Sequence, residues 1–584
     1  MRYDPTVCLD DAGGKGRSFR FSGRVGTLTA CVPGEVLPLL AELEAVAAAG
    51  RHAVGFVTYE AASALCPHLP SFEPADGLPL AWFALFECRV ELEPLRPEQE
   101  APLSPLLESA IDQVRYTADV ESIRGLIAAG ECYQANYTFP LRGVAAGGHQ
   151  ALYRRFTAAQ RAAYCACIDT GRHLLLSASP ELFFRLSGNR IETRPMKGTI
   201  GRGRHPEEDA YRARLLLDNP KERAENLMIV DLLRNDLGMV AEHGTVRVDS
   251  LFELESYPTV HQLTSTVSAT VRAGTGLADI FRALFPCGSV TGAPKRRSME
   301  ILARLEGRPR GVYCGAIGMV SPGEAVFSVA IRTLVCDSLH GSVELGVGSG
   351  ITWDSDPAAE FSECLSKARF TAVAAPRHGL IESLRREAGG YPLLERHLDR
   401  LEWSAGRVGI PFRRPAARQV LEGVACEPGG VFKVRLLVRV DGAMELSAEP
   451  VVPDSAPLTV ALSISPVDPD DGSLYLKSAD RSRYEQARSE CPQADEALLV
   501  NTRGELTEGS YHNLVLKLDG RLVTPPLSSG LLPGVMRARL LAEGTIIEQI
   551  LTPDDLSRAG EIWLINAVRG WRRAVLWGVP CACS

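Results

Sequence analysis

Residues 174–203 read "LLLSASPELFFRLSGNRIETRPMKGTIGRG". Apolar runs on either side of the polar "SGN" read as a strand, a tight turn and a second strand. The second strand passes Pro195 and Met196 and delivers Lys197 into a bend at Gly198. A lysine taken at random is a solvated charge. One carried to a glycine-rich bend by apolar strands is a candidate nucleophile.

The chain around it has 584 residues, too many for one core, so two or more large domains are expected. Apolar residues make up 45% and charged residues 23%, an ordinary globular balance. A net charge of −8 and no long basic run speak against nucleic-acid binding. No apolar run reaches the ~18 residues of a membrane span, and "MRYDPTVCLDD" lacks the pattern of a secretory signal. The 15 cysteines are scattered. Cys165 and Cys167, and Cys581 and Cys583, form C-x-C pairs only, and no C-x-x-C or paired His cluster supports zinc. An odd count without a signal fits reduced thiols in a cytoplasm, and the terminal "CACS" reads as a tail.

The clearest boundary is "AVAAPRHGLIESL". A helix carrying "EFSECLSKARF" ends, Pro376 follows, and a new strand begins near Leu380. Strands and helices mix on both sides without regular βαβ alternation, which predicts an α+β fold. The helical stretch "DAYRARLLLDNPKERAENLMIVDLLRNDLG" is expected to split at Pro220.

Glu222 and Glu225 lie three apart and share one helix face; Glu360 and Glu363 repeat the spacing on a later helix. A single E-x-x-E is more often a solvated face. If both pairs converge, four carboxylates repel unless a cation sits among them, and oxygen-only ligands suit Mg²⁺. Ahead of the second pair, "GVGSGITWDSDP" places Gly346, Gly348 and Gly350 as a strand with bare N–H groups, open to a ligand. "CGSVTGAPK", before the helix "RRSMEILARL", is a second turn of this kind, suited to an anion. Arg332 supplies a cation able to fork onto a carboxylate.

"TRPMKGT", "ERAENLMIVDLLRNDLG", "TVHQLTSTV", "FPCGSVTGAPKRRSMEIL", "GVYCGAIG", "AIRT" and "GSGITWDSDPAAEFSECLSKA" occur in the order of the chorismate-utilising enzymes, which this chain resembles over roughly 115–372. Residues 1–114 resemble that family's variable N-terminal part. Anthranilate synthases carry P-I-A-G-T at the lysine and aminodeoxychorismate synthases P-I-K-G-T. Pro195-Met196-Lys197-Gly198-Thr199 resembles the latter, which implies amination at C4 of chorismate. The resemblance implies that Lys197, partly deprotonated by burial and a nearby cation, adds to the ring, with Glu181 as general acid. It implies Glu225 and Glu363 as direct Mg²⁺ ligands, and Glu222 and Glu360 as ligands through water. Tyr313, Arg332, Gly348 and the Thr291-Gly292 turn would hold the substrate carboxylates. His261 matches a further active-site position.

"LLERHLDRLEWSAGRVGIPF", "SLYLKSADRSRYEQAR", "ADEALLVNTRGELTEGSYHNLVLKLDGRLVTPPLSSGLLPGVMRARLL" and "EIWLINAVRGWRRA" resemble, over roughly 378–577, the fold-type IV pyridoxal-phosphate enzymes. These include class IV aminotransferases and aminodeoxychorismate lyase. The resemblance implies Lys477 as the imine-forming lysine, Glu508 at the ring nitrogen, Arg400 on the phosphate, and Gly534, Val535 and Met536 as its N–H cradle. Asn566, in a neighbouring loop with Ala567, is implied as a further cofactor-binding residue. The expected organisation is a synthase over 1–114 and 115–372, a linker at 373–379, and a pyridoxal-phosphate lyase over 380–584. A separate glutamine amidotransferase would supply ammonia, and a homodimer through the second domain is compatible. An anthranilate-type synthase fused to an aminotransferase, or a non-catalytic chorismate-binding subunit, are the rival readings.

Overall fold

A computed structural model describes residues 4–577 apart from 5, 14–15, 71, 75–76, 93–105, 145–147, 369–370, 372–377, 426–429 and 453–455. Residues 373–377 of the expected linker and the terminal "CACS" lie outside the described residues. The chain divides into two compact units: residues 1–201 with 213–375, and residues 202–212 with 376–584. The mixed helix and strand content is that of an α+β protein. No described helix is long and apolar enough to cross a membrane. The described cysteines are all free thiols.

In the first unit every strand pairing is antiparallel, and one ladder accounts for the site. Strand His173–Ser179 pairs with Thr333–Asp337, whereas the next strand, Leu182–Ser187, pairs with Glu324–Val329. Both chains therefore change partners at the same level, one at Pro180-Glu181 and the other at Ala330-Ile331-Arg332. The corner is tied by the Val329 N–H to the Glu181 carbonyl at 3.1 Å and the Ala178 N–H to the Arg332 carbonyl at 3.1 Å. Arg332 turns it with φ 51°, a left-handed conformation that is unusual for a non-glycine residue.

The hairpin read from the sequence forms as Leu182–Ser187 and Arg190–Arg194, and Met196–Gly201 then carries Lys197. The long helical stretch splits at Asn219, whose side-chain oxygen accepts from the Lys221 and Glu222 N–H groups and so starts helix Pro220–Gly238. Asp356 caps helix Pro357–Lys367 through the Ala359 N–H. Each cap fixes the first turn, which carries Glu222 in one helix and Glu360 in the other.

The core beneath helix Pro220–Gly238 is aromatic. Phe281 meets Phe184 and Phe327 edge-on, with centroids 5.5 and 5.2 Å apart, and packs on Phe183 and Phe285. The second unit joins a three-stranded antiparallel sheet (Leu380–Arg386, Phe432–Val438, Met444–Pro450) to an eight-stranded mixed sheet. In the latter, Leu458–Leu462 runs parallel to both Glu496–Val500 and Gly570–Leu576. Phe281→Ala removes a ring from a fully buried cluster. It is expected to destabilise the first unit by about 3–5 kcal/mol, read as an earlier denaturant transition.

Candidate active sites

One cleft in the first unit is lined by Glu181, Lys197, Lys221, Glu222, Glu225, Gln262, Ser289, Tyr313, Arg332, Gly348, Glu360, Glu363 and Lys367, among others. The two glutamate pairs thus face one space from two helices. The Glu225 carboxyl is pushed up to about 7 by burial; Lys197 acts against this, and Glu222 and Glu360 add to it. Glu222 is raised by burial and by Glu363. Burial would also raise Glu363, but Lys367 pulls it below the ordinary carboxylate range through a 2.7 Å ion pair. Lys221 stands 3.6 Å from Glu360 and 3.9 Å from Glu225. Among the described residues no three His, Cys, Asp or Glu side chains are gathered as a ready-made metal site. The donor set still fits a hard divalent cation in kind, because it is all carboxylate.

Glu181 is 3% exposed and accepts from the Ser289 hydroxyl at 2.6 Å. Burial pushes its carboxyl up to about 7; Ser289, Lys197, the Met196 N–H and Arg332 moderate the shift. A carboxyl of this kind keeps a proton near neutrality, as a general acid requires. Arg332 is 7% exposed, and burial lowers it to about 10.

The glycines have a packing reason. A Cβ on Gly346 would lie 2.2 Å from the Tyr313 ring, and one on Gly350 would lie 2.9 Å from the Lys197 Nζ and 2.2 Å from the Gln134 amide. Gly198, at φ 89°, makes the bend after Lys197; a Cβ there would meet Glu222 at 3.2 Å. The expected bare N–H groups have one open edge of the strand beyond Leu345. Residues 342–351 pair along their whole length with 134–144, and the opposite edge is paired only as far as Leu345. Glycine is also required there by what presses on the strand.

Three expected residues do not line the cleft. Thr291 is fully buried and donates to the Cys287 and Gly288 carbonyls, and Gly292 pairs with Ala135; their neighbours Ser289 and Val290 line the cleft instead. The His261 ring nitrogen Nδ1 is 2.8 Å from the Ser256 hydroxyl, and Gln262 takes the cleft side of the strand. Successive residues of a strand point to opposite faces, so a one-residue difference decides the matter. Sequence reasoning also missed Ser289, Lys221, Lys367 and Gln134. Ser289, Lys221 and Lys367 stood inside the motifs above; Gln134, whose buried amide has no partner among the described residues, carried no signal.

The second unit has its own cleft, lined by His397, Arg400, Lys477, Tyr484, Glu508, His512, Asn513, Gly534, Val535, Met536, Asn566 and Ala567, among others. Lys477 follows a short 3₁₀ turn, and its carbonyl accepts from the Ile381 N–H at 2.8 Å. Burial, then Arg400, lowers its amine to about 8. Glu508 is buried and accepts from the Tyr484 hydroxyl at 2.8 Å, the Leu532 N–H at 3.2 Å and the Asn513 amide at 3.2 Å. Burial pushes its carboxyl up to about 7.

Arg400 grips Glu382 with Nε and Nη2 at 2.8 and 2.7 Å, and Nη1 donates to the Pro533 carbonyl. Burial would raise the Glu382 carboxyl, but Arg400 and His397 hold it at about 2. Three of the five guanidinium N–H groups are thereby used, and two are left for an anion. Helix Val535–Ala542 starts beside it, and a Cβ on Gly534 would lie 1.8 Å from the Asn513 oxygen. The Asn566 side chain turns back to accept from the Val568 and Arg569 N–H groups. An amine, a buried acid and a helix start beside an arginine fit pyridoxal phosphate. Glu382 and Tyr484 were not anticipated.

Residues 34–373 match the chorismate binding enzyme family, and residues 379–577 match the amino-transferase class IV family. The chain belongs to the chorismate binding enzymes and carries a class IV aminotransferase domain behind that part. It is 44% identical over 253 residues to aminodeoxychorismate synthase component 1 of Klebsiella aerogenes, covering 43% of this chain and 56% of the relative. It is 42% identical over 270 residues to anthranilate synthase component 1 of Streptomyces coelicolor, covering 46% of this chain and 52% of the relative. The chain thus spans about half the length of these curated relatives. The crystal structure of anthranilate synthase component I from Streptococcus pneumoniae TIGR4 superposes with a TM-score of 0.53 at 24% identity, covering 64% of this chain and 94% of that one. That likeness speaks for the fold of the first unit.

Folding raises the Glu181 carboxyl above its ordinary value, so its contribution to stability is complete at low pH and is lost as pH rises through about 7. Glu181→Gln is therefore expected to melt at a higher temperature relative to wild type at pH 8 than at pH 5. Melting curves across pH 5–9 check the sign.

Proposed function

We propose that this chain is a bifunctional enzyme of 4-aminobenzoate synthesis. Its first unit aminates chorismate at C4, and its second removes pyruvate from the 4-amino-4-deoxychorismate so formed. The observation that carries the reading is Lys197, facing the carboxylate cleft together with a buried Glu181 whose carboxyl lies near 7. We assign the synthase to residues 1–114 and 115–372 and the lyase to 380–584, joined at 373–379.

In the first step the Lys197 amine adds at ring C2 as the C4 hydroxyl leaves. Glu181 gives that hydroxyl its proton, so it departs as water, and the lysine nitrogen sheds one proton. Ammonia then adds at C4, the C2–nitrogen bond breaks, and the lysine nitrogen keeps the electron pair and takes back the proton it shed, so Lys197 leaves as an amine. One proton passes from the incoming nitrogen to the ionised Glu181. Two displacements replace one direct exchange of hydroxide for ammonia. Arg332 and Tyr313 hold the substrate, and Gly348 lets it approach the strand closely. Glu225 and Glu363 would hold Mg²⁺ directly, with Glu222 and Glu360 acting through water; the ion would draw electrons out of the ring through its carboxylate.

In the second unit, bound pyridoxal phosphate would act as an electron sink, with Glu508 at its ring nitrogen and its phosphate against Arg400, Val535 and Met536. Lys477, with its amine lowered to about 8 by burial, would take the proton from ring C4. The enolpyruvyl group leaves C3, takes up one proton to become pyruvate, and the ring becomes aromatic. Ammonia comes from a separate glutamine amidotransferase subunit. The protein works in the cytoplasm, serves folate synthesis, and is compatible with dimerisation through the second unit.

Given chorismate, Mg²⁺, ammonium and pyridoxal phosphate, wild type is expected to yield 4-aminobenzoate. Lys477→Ala should accumulate the aminated intermediate, and Lys197→Ala should lose at least a hundredfold in C4-aminated material. Chromatography of the products decides, and anthranilate from wild type would overturn the reading.

A further inference from the structure

We propose that the side-chain carbonyl of Gln262 is a positioning acceptor in the synthase cleft, holding the N–H or O–H group that enters or leaves at ring C4. Gln262 is 6% exposed and lines the cleft that holds Lys197 and Glu181. Its Nε2 donates to the Thr199 hydroxyl at 3.3 Å, two residues past Lys197, across the pairing of Thr199 with Gln262. That bond fixes the amide and leaves Oε1 over. Oε1 is buried with no hydrogen-bond partner among the described residues. A buried amide oxygen left unsatisfied is costly, so a carbonyl held in this way on a binding cleft awaits a donor.

The chemistry of the reactants narrows the donor. The inference rests on the reading of this cleft as the site of C4 amination. Chorismate offers two carboxylates and an ether, all acceptors, which an amide oxygen repels. Its one donor is the C4 hydroxyl, and the other donor to enter is ammonia. Both groups are bonded to C4, one before and one after the exchange. Gln262 would therefore orient the substituent at C4 without titrating, while Glu181 moves the proton.

Gln262→Met keeps the side-chain length and removes the acceptor. Thr199→Val keeps the acceptor and removes its anchor. For Gln262→Met we expect kcat/KM for C4 amination to fall by about tenfold with the melting temperature unchanged. For Thr199→Val we expect a smaller fall in the same direction. A raised KM for ammonium with unchanged chorismate binding would mark ammonia as the held donor. Weaker chorismate binding, measured by calorimetry without ammonia, would mark the hydroxyl. If Gln262→Met does not fold, Thr199→Val decides alone. Kinetic constants and chorismate binding within twofold of wild type would overturn the proposal. Failure of wild type itself to aminate C4 would instead sink the reading on which it rests.

Discussion

Burying acids next to amines is the constraint on which both clefts depend. In the first, Glu181, Glu225 and Glu360 are withdrawn from water around Lys197, Lys221 and Lys367, whereas the Glu363 side chain stays 38% exposed. In the second, Glu508 lies withdrawn beside Lys477, and Arg400 is locked onto Glu382. Groups arranged like this lose hydration and are compensated only by one another, so small displacements change their proton affinity. Glu181, Glu225 and Glu508 are all driven to about 7 by burial. Such burial costs stability, and the surrounding ladders and aromatic core offset it.

The fold serves this constraint through its corners and caps. Glu181 and Arg332 stand where two paired strands exchange partners at one level, so neither side chain belongs to a regular strand face. The Asn219 and Asp356 caps set the rotation of the helices that present the glutamate pairs. Lys197 is brought in by a strand that continues a hairpin, and Gly198 bends the chain so that Glu222 can pack behind it.

Much of this was legible in the sequence because it is local. The hairpin, the break before Pro220, the i, i+3 carboxylates and the boundary near Leu380 each follow from a short stretch. What depends on long-range pairing was not. His261 and Gln262 are neighbours on a strand, and only the register with Thr199 and Ile200 decides which one faces the cleft. The glycines at 346 and 350 were read as an open floor, and Tyr313 from a turn and Gln134 and Lys197 from other strands also press on them. Ser289 reaches Glu181 across 108 residues of sequence, and Glu382 reaches Arg400 across 18, so neither pairing carries a local signal. Relatives named for synthesis of anthranilate and of aminodeoxychorismate match at almost the same identity, so overall similarity does not separate them. The residue at 197 carries the distinction proposed here.

The claim that Lys197 bonds transiently to the substrate ring is tested most directly by peptide mass mapping. The protein would be quenched after mixing with chorismate and Mg²⁺ in the absence of ammonia. The account predicts that the peptide containing Lys197 gains the mass of chorismate less one water, and that ammonium discharges it. An unmodified Lys197 under conditions where ammonium drives turnover, or an adduct on Lys221 or Lys367 instead, would contradict it.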